Sequence, residues 1–169
     1  MNKPFLAILL LAGCSGSESD GQSAAQSGKA GQGQAAPAGP ITTLAGLYEG
    51  GGNGRKHQMC MVDDGQGGTR FGLLVWGDND HSCSGSGSAT RAGDTLRLAM
   101  AGDEACVIDA KISGATATFP AAIPDGCAYY CGARASMKNA SLAQVATGAD
   151  AAGRAKDLVG EPLCGGQAG

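Results

Sequence analysis

The C-terminal three quarters of the chain alternates between short apolar runs and Gly- and Asp-rich breaks. This spacing, which starts at Ile41, is typical of an antiparallel β-protein with tight turns. Seven strands are predicted, at residues 45–49, 57–62, 69–76, 83–91, 95–100, 105–112 and 115–119. Residues 139–147 suit either a helix or a closing strand, so the pattern leaves that segment open.

The predicted strands can be paired so that their apolar residues coincide. A two-residue turn at Ser113-Gly114 would place Ile112 opposite Ala115. A loop at 101–105 would place Leu98 opposite Ile108 and Met100 opposite Cys106. Both pairings put the apolar side chains on one face, which supports a meander because a slip by one residue would expose them.

Two glycines fall on the predicted inner face of the fourth strand, while serines line its outside. A turn at 92–94 places Gly85, Gly87 and Ala89 against the strand 95–100. Inward glycines leave room for a bulky neighbour, such as Phe71 or Trp76, or for a ligand. Packing is the preferred interpretation.

Beyond Pro124 the pattern predicts a cysteine-held loop or helical turn at 126–132 and a helix at about 150–160. Asp150 is the expected N-cap, Leu158 and Val159 lie on the same side of the predicted helix as Ala151, and Gly160 ends the helix. The predicted fold is therefore all-β: an antiparallel meander of about seven to eight strands, a small barrel or sandwich, disulfide-crosslinked, with a short C-terminal helix.

The N-terminus has the pattern of an export signal. A Lys precedes a short apolar run that ends in Leu11-Ala12-Gly13-Cys14. This motif resembles the lipobox of bacterial lipoproteins. The resemblance implies a signal peptide at 1–13, cleavage before Cys14 and lipid attachment to that cysteine, which would anchor the chain to a membrane. By resemblance to the Gram-negative sorting rule, Ser15 favours the outer membrane. The periplasmic face is the expected location, and the inner membrane or the cell surface are the less favoured alternatives. The alternative is an ordinary signal peptide that leaves Cys14 as a thiol.

A low-complexity segment joins the lipobox to the β-rich domain. Residues 15–40 contain no Val, Ile, Leu, Met or aromatic side chain. Such a segment cannot bury enough apolar surface to fold alone, so residues 14–40 are predicted to form a disordered tether. As a flexible coil it would span roughly 28 Å. Residues 41–169 are predicted to form a single domain.

The chain has seven cysteines, and lipidation of Cys14 would leave six to pair. Six thiols in an exported domain indicate a disulfide framework with fifteen possible pairings, and the spacing does not choose among them. The candidates are Cys60, Cys83, Cys106, Cys127, Cys131 and Cys164.

Other chemical interpretations of the polar residues are weaker. His57-x-x-Cys60 and His81-x-Cys83 supply zinc-type ligands at spacings unlike those of zinc fingers. The spacing of Cys127 and Cys131 is one residue longer than that of a thioredoxin-type redox motif. Residues 78–80 could supply oxygen ligands for calcium but lack the rest of a calcium-binding loop. The glycines at 50–54 do not precede a helix, as those of a phosphate-binding loop would. No cofactor, metal or catalytic residue is expected. Arg55 and Lys56, at a hairpin tip, form a possible contact loop.

The net charge of −3 gives no basic surface for nucleic acid. The motif Leu44-x-Gly46-x-Tyr48 at the start of a meander resembles small lipocalin-like lipoproteins over those few residues, with no firm family. The predicted function is a non-catalytic envelope lipoprotein that binds or inhibits a protein or glycan partner. The alternative is a structural envelope component without a discrete ligand, and a small-ligand-binding barrel or an enzyme comes third.

Overall fold

A computed structural model describes residues 39–52 and 54–165, and Cys14 with most of the tether lies outside these ranges. Eight antiparallel strands form a closed barrel in which each strand pairs with the next and the eighth pairs with the first. The strands are β1 (Gly46–Gly52), β2 (Arg55–Asp63), β3 (Thr69–Trp76), β4 (Ser82–Ala92), β5 (Thr95–Met100), β6 (Val107–Ser113), β7 (Thr116–Thr118) and β8 (Ser141–Thr147). No helix in the described ranges is long and apolar enough to cross a membrane.

The described ranges also contain three short helical segments. Two are 3₁₀ segments, Asp78–Asp80 and Asp125–Tyr130, and the third is α1 (Ala149–Ala152). The all-β prediction is confirmed, and of the two predicted architectures the structure has the barrel. The ambiguous segment 139–147 supplies the closing strand β8, which buries Leu142 and Gln144 and exposes Ser141.

The predicted register is confirmed in the middle of the sheet and wrong at one hairpin. Leu98 lies opposite Ile108 as expected. Between β6 and β7, however, Ile112 pairs with Ala117, because the turn residues are Gly114 and Ala115. Gly114 has φ +58° at the first central position, which glycine adopts without strain. The shift is two residues, so the same apolar side chains still face inward.

The predicted C-terminal helix is wrong beyond its first turn. Gly148 occupies the N-cap position, Asp150 lies in the first turn, and α1 ends at Ala152. The chain then turns back on itself, since the N–H of Leu163 donates to the carbonyl of Ala155 at 2.8 Å. This return brings Cys164 to Cys60, a contact that a helix continuing to residue 160 would carry away from the barrel.

The inside of the barrel is filled by side chains, as expected for eight strands. Tyr48, Met59, Phe71, Leu73 and Leu98 are among its fully or almost fully buried residues.

The glycines of β4 are also explained by packing. Gly87 lies opposite Phe71. A Cβ at Gly85 would overlap the methyl group of Met100 and contact the ring of Tyr130. The packing interpretation is therefore confirmed, although Met100 and Tyr130, not Trp76, occupy the space at Gly85.

Both ends of the barrel are closed. At the end where the chain enters, Ile41 is buried, its N–H donates to the carbonyl of Gly114, and its own carbonyl accepts from Arg91 Nη1 at 2.6 Å. At the other end, Phe119 and Met137 pack on the core. Segments that begin and end outside the strands thus seal the interior.

A second apolar cluster lies on the outer wall. The segment after α1, residues 153–165, crosses the outside of β1, β2 and β3, and we call it the strap. Ala152 and Ala155 pack against Leu47 and Cys60, whose side chains point away from the barrel interior. Gly72 permits the close approach of the strap, because a Cβ there would overlap the backbone of Leu163.

Candidate functional site

The six predicted cysteines pair into three disulfides within the described residues, as a disulfide framework predicts. They are Cys60–Cys164, Cys83–Cys131 and Cys106–Cys127, with S–S distances of 2.12, 2.07 and 2.01 Å. The first fastens the strap to β2, and the other two hold the 3₁₀ turn Asp125–Tyr130 at one end of the barrel. Cys127 and Cys131 pair with different partners, so they do not form a disulfide with each other as a redox motif of that spacing would. A sulfur in a disulfide is also not the thiolate that a zinc site requires.

His57 has a structural role. It points to the opposite side of β2 from Cys60, is only 7% exposed, and accepts the backbone N–H of Trp76 on Nδ1 at 3.1 Å. Burial disfavours the charged imidazolium, so the pKa of His57 lies below its usual value. Among the described residues, no three His, Cys, Asp or Glu side chains come together as a metal-binding group.

The predicted contact loop carries paired charges. The guanidinium of Arg55 lies 4.4 Å from the ring centroid of Trp76, and its Nη2 is 2.8 Å from Asp80 Oδ1. The ammonium of Lys56 is 2.7 Å from Glu49 Oε2. Exposed pairs of this kind contribute about 0–1 kcal/mol each. The pairing leaves the hairpin with little net positive charge to attract a partner.

A buried polar pair lies inside the barrel near the entry of the chain. The hydroxyl of Tyr48 donates to the carbonyl of Leu44 at 2.8 Å, and Gln144 Nε2 donates to that hydroxyl at 3.1 Å and to the carbonyl of Thr43 at 2.8 Å. Burial raises the pKa of Tyr48 far above its usual value, so the phenol stays neutral. Within the described ranges, every buried side-chain polar atom has a hydrogen-bond partner. This pair therefore fixes the N-terminal segment and offers no free group for chemistry.

A groove of about 580 Å³ lies on the outer wall of the barrel. One side is formed by the strap at Leu163 and Cys164, and the floor by the outward faces of β4 and β5, including Ser86, Ser88 and Ala99. Small side chains cover β4 and β5 beside the strap, which leaves space for the groove. Its described lining is mixed polar and apolar, and those described lining residues include serines but no histidine or carboxylate.

The most exposed large aliphatic side chains of the described residues lie in the strap. Leu158 is 55% and Val159 is 81% exposed. Both belong to a tight turn at residues 157–161, which we call the projecting loop. Asp157 Oδ1 accepts the N–H groups of Val159 and Glu161, each at 2.9 Å, and the N–H of Asp157 donates to the carbonyl of Glu161 at 2.8 Å.

The sequence interpretation missed this loop because it placed both apolar residues on the buried side of a helix. The available signal was an Asp followed by Gly160 and Pro162, since Asp side chains form local turns that compete with helix. Gly160 adopts φ +88° in this turn.

Comparisons with known proteins assign no function to this chain. No known protein family matches the chain, and neither does any curated protein or solved structure.

Proposed function

We propose that this chain is an envelope lipoprotein, anchored through lipid on Cys14, whose barrel is a non-catalytic binding module for a protein partner. The anchor rests on the Leu11-Ala12-Gly13-Cys14 motif and the low-complexity segment behind it. The binding role rests on the barrel itself.

The filled and sealed interior is the observation that carries the binding role. Lipocalin-like barrels bind ligands inside, but here that space is occupied by core side chains such as Tyr48 and Phe71, and both ends are covered. Recognition is left to the outer wall, where the groove and the projecting loop lie side by side in sequence along the strap.

A protein partner fits this wall better than a glycan. The aromatic residue among the described groove residues is Phe71, which is 2% exposed and cannot offer a ring face for stacking on a sugar. The projecting loop presents aliphatic side chains, which gain free energy from burial in another protein. We therefore place the protein partner ahead of the glycan.

The anchor is tested by metabolic labelling with radioactive palmitate. The wild-type chain should take up label and fractionate with membranes. The Cys14→Ser chain should take up no label. It should either be released or stay with the membrane as a precursor whose signal peptide is not cleaved. Ser15→Ala, one residue away, is the matched control and should keep both label and membrane association. Label retained by Cys14→Ser would refute lipidation at this position.

The binding role is tested by affinity capture from envelope extract with the detergent-solubilised full chain. A partner should be retained in stoichiometric amount by the oxidised protein and lost after reduction and alkylation of the three disulfides. Recovery of no specific protein would refute the binding role and favour the structural envelope component.

A further inference from the structure

The strap buries little of itself against the barrel. Ala155 is buried, and every other residue of the strap is half-buried or exposed. The backbone–backbone hydrogen bonds of its described residues stay within the strap and α1, such as the bond from Leu163 to Ala155. The N–H of Lys156 donates to Gln58 Oε1 on β2 at 3.0 Å, but this bond is exposed to solvent. Noncovalent contact between the strap and the wall is therefore small.

Such a contact does not offset the entropy lost when the strap is ordered. Fixing the backbone of one residue costs free energy of the same order as burying one apolar side chain provides. The strap fixes a whole run of residues but buries one alanine and part of Leu163. The bridge Cys60–Cys164 joins the end of the strap covalently to β2. Opening this bridge should therefore free the strap beyond Ala155.

The bridge can be approached from solvent on one side. Cys164 is half-buried and lines the groove, whereas Cys60 is fully buried in the outer-wall cluster. The described residues that line the groove include the small side chains of Ser86 and Ala99, and they include no carboxylate that would repel an anion. A thiolate that enters the groove meets the sulfur of Cys164 before that of Cys60. Access of this kind is what makes a disulfide open to exchange.

The other two bridges are placed differently. Cys106 and Cys127 are both almost fully buried in the core cluster inside the barrel. Cys83 is fully buried in the same cluster, and its half-buried partner Cys131 packs against it. The eight strands pair with one another without the strap. The bridge to the strap is thus the one whose opening leaves the strand pairing and the core intact.

We propose that Cys60–Cys164 is a redox latch, which a dithiol reductant opens in the folded protein so that the strap leaves the wall. One thiolate of the reductant bonds to the sulfur of Cys164, the bond between the two cysteines breaks, and Cys60 departs as a thiolate that takes up a proton. The second thiol of the reductant then displaces Cys164. Two electrons pass to the protein, which gains two thiols, and the reductant becomes a disulfide.

Opening the latch would remove one side of the groove. Leu163, Cys164 and Gly165 form the strap side, and Leu163 lies directly over Gly72 of β3. Their release would also uncover Cys60 on the outer face of β2. The partner is recognised on this wall, a step that rests on the proposed function. The oxidised chain should therefore bind the partner, and the chain with an open latch should not.

Timed reduction of the native full chain tests the latch. The detergent-solubilised protein is exposed to dithiothreitol without denaturant, quenched with acid at intervals, alkylated with N-ethylmaleimide and mapped by mass spectrometry. Cys60 and Cys164 should become alkylated about 10-fold or more faster than Cys83 and Cys131, because the second bridge opens only when the core opens. That second bridge is the matched control, since it also has one half-buried cysteine. Equal rates, or earlier opening of the control bridge, would overturn the proposal.

Limited digestion with trypsin reports whether the strap leaves the wall. Arg154 and Lys156 lie in the strap, while Arg97 and Lys111 are exposed on paired strands and serve as internal controls. The chain alkylated only at the latch should be cut in the strap about 10-fold or more faster than the oxidised chain, and it should stay uncut at the two strand sites. Strap cleavage at the same rate in both forms, or cleavage of the strand sites together with it, contradicts the latch.

A double variant, Cys60→Ala with Cys164→Ala, holds the latch open permanently. Its circular dichroism should match that of the oxidised wild type, its other two bridges should remain, and its strap should be cut as fast as that of the alkylated chain. A folded variant whose strap stays protected from trypsin would refute the latch. If the variant does not fold, barrel and strap are not separable, and the timed reduction of wild type should then show all three bridges opening together, which also refutes it.

Binding separates failure of the latch from failure of the proposed function. The captured partner should bind the oxidised chain about 10-fold or more tightly than the chain alkylated only at the latch. Equal affinity of the two forms would show that the latch does not control binding. If the oxidised wild-type chain captures no partner, the proposed function fails, and the reduction and digestion results still decide whether the latch exists.

Discussion

Reduction of the three disulfides should unfold this domain under conditions in which the oxidised form is stable. In the chain-entropy account, each bridge stabilises the fold by restricting the unfolded chain, and the effect grows with the length of the ring that it closes. The relevant ring is the shortest covalent path when the other bridges are present. That path can be read from the connectivity of this chain.

The three rings differ in size because the bridges are nested. With the others intact, Cys60–Cys164 closes a ring of about 58 residues through Cys83–Cys131, which gives about 4.2 kcal/mol. Cys83–Cys131 closes about 29 residues, for about 3.6 kcal/mol, and Cys106–Cys127 closes about 22, for about 3.4 kcal/mol. The bridges together contribute about 11 kcal/mol, which is comparable to the whole free energy of unfolding of a domain this size.

Urea denaturation followed by circular dichroism measures these terms. The free energy of unfolding should fall most for the double replacement of Cys60 and Cys164 by Ala and least for that of Cys106 and Cys127. The fully reduced and alkylated chain should be unfolded in buffer. A reduced chain that keeps more than half of the oxidised free energy of unfolding would refute the reasoning, because the strands alone would then supply most of the stability.

Three further predictions concern the barrel. Tyr48→Phe keeps the ring but leaves the part-buried carbonyl of Leu44 without its donor, so it should lower the free energy of unfolding by about 1–3 kcal/mol. Tyr129→Phe, at an exposed position elsewhere in the barrel, should not. The pKa of His57 is lower in the folded chain than its unfolded value of about 6.5. The contribution of His57 to the free energy of unfolding should therefore be constant above about pH 7 and decline as the pH falls through 6.5. The His57→Gln variant should lack this decline when urea titrations are compared between pH 5 and 8. Gly50→Ala should destabilise by about 1–3 kcal/mol in thermal unfolding because its Cβ would overlap a β8 carbonyl, whereas Gly51→Ala, with open space around it, should be neutral.

Much of the sheet could be predicted from sequence because a half-buried strand encodes its inner face with period two. That period located seven strands and the correct inward residues, even where the β6–β7 register was two residues off, since a two-residue shift leaves the faces unchanged. The number of cysteines also indicated a disulfide framework, because a count depends on residue type and needs no knowledge of the three-dimensional structure.

The candidate surface site was not predictable in the same way. Arg55 and Lys56 were selected for their charge, but Asp80 and Glu49 approach them only in the folded barrel. Leu158 and Val159 have helical spacing with Ala151, and local pattern gives no sign that the strap must turn back to reach Cys60. The groove likewise depends on contact between the strap and strands that are distant from it in sequence.

The sequence by itself determined the strand faces, the presence of a disulfide framework and the expectation of lipid on Cys14, because each depends on residue type and local period. Only the tertiary structure decided that the sheet closes through β8, which cysteines pair, that the interior is full and that Leu158 and Val159 are exposed. These features depend on contacts between residues that are far apart in sequence, such as Cys60 and Cys164, which are 104 positions apart. Local propensity could not predict them, because it carries no information about contacts at such separations.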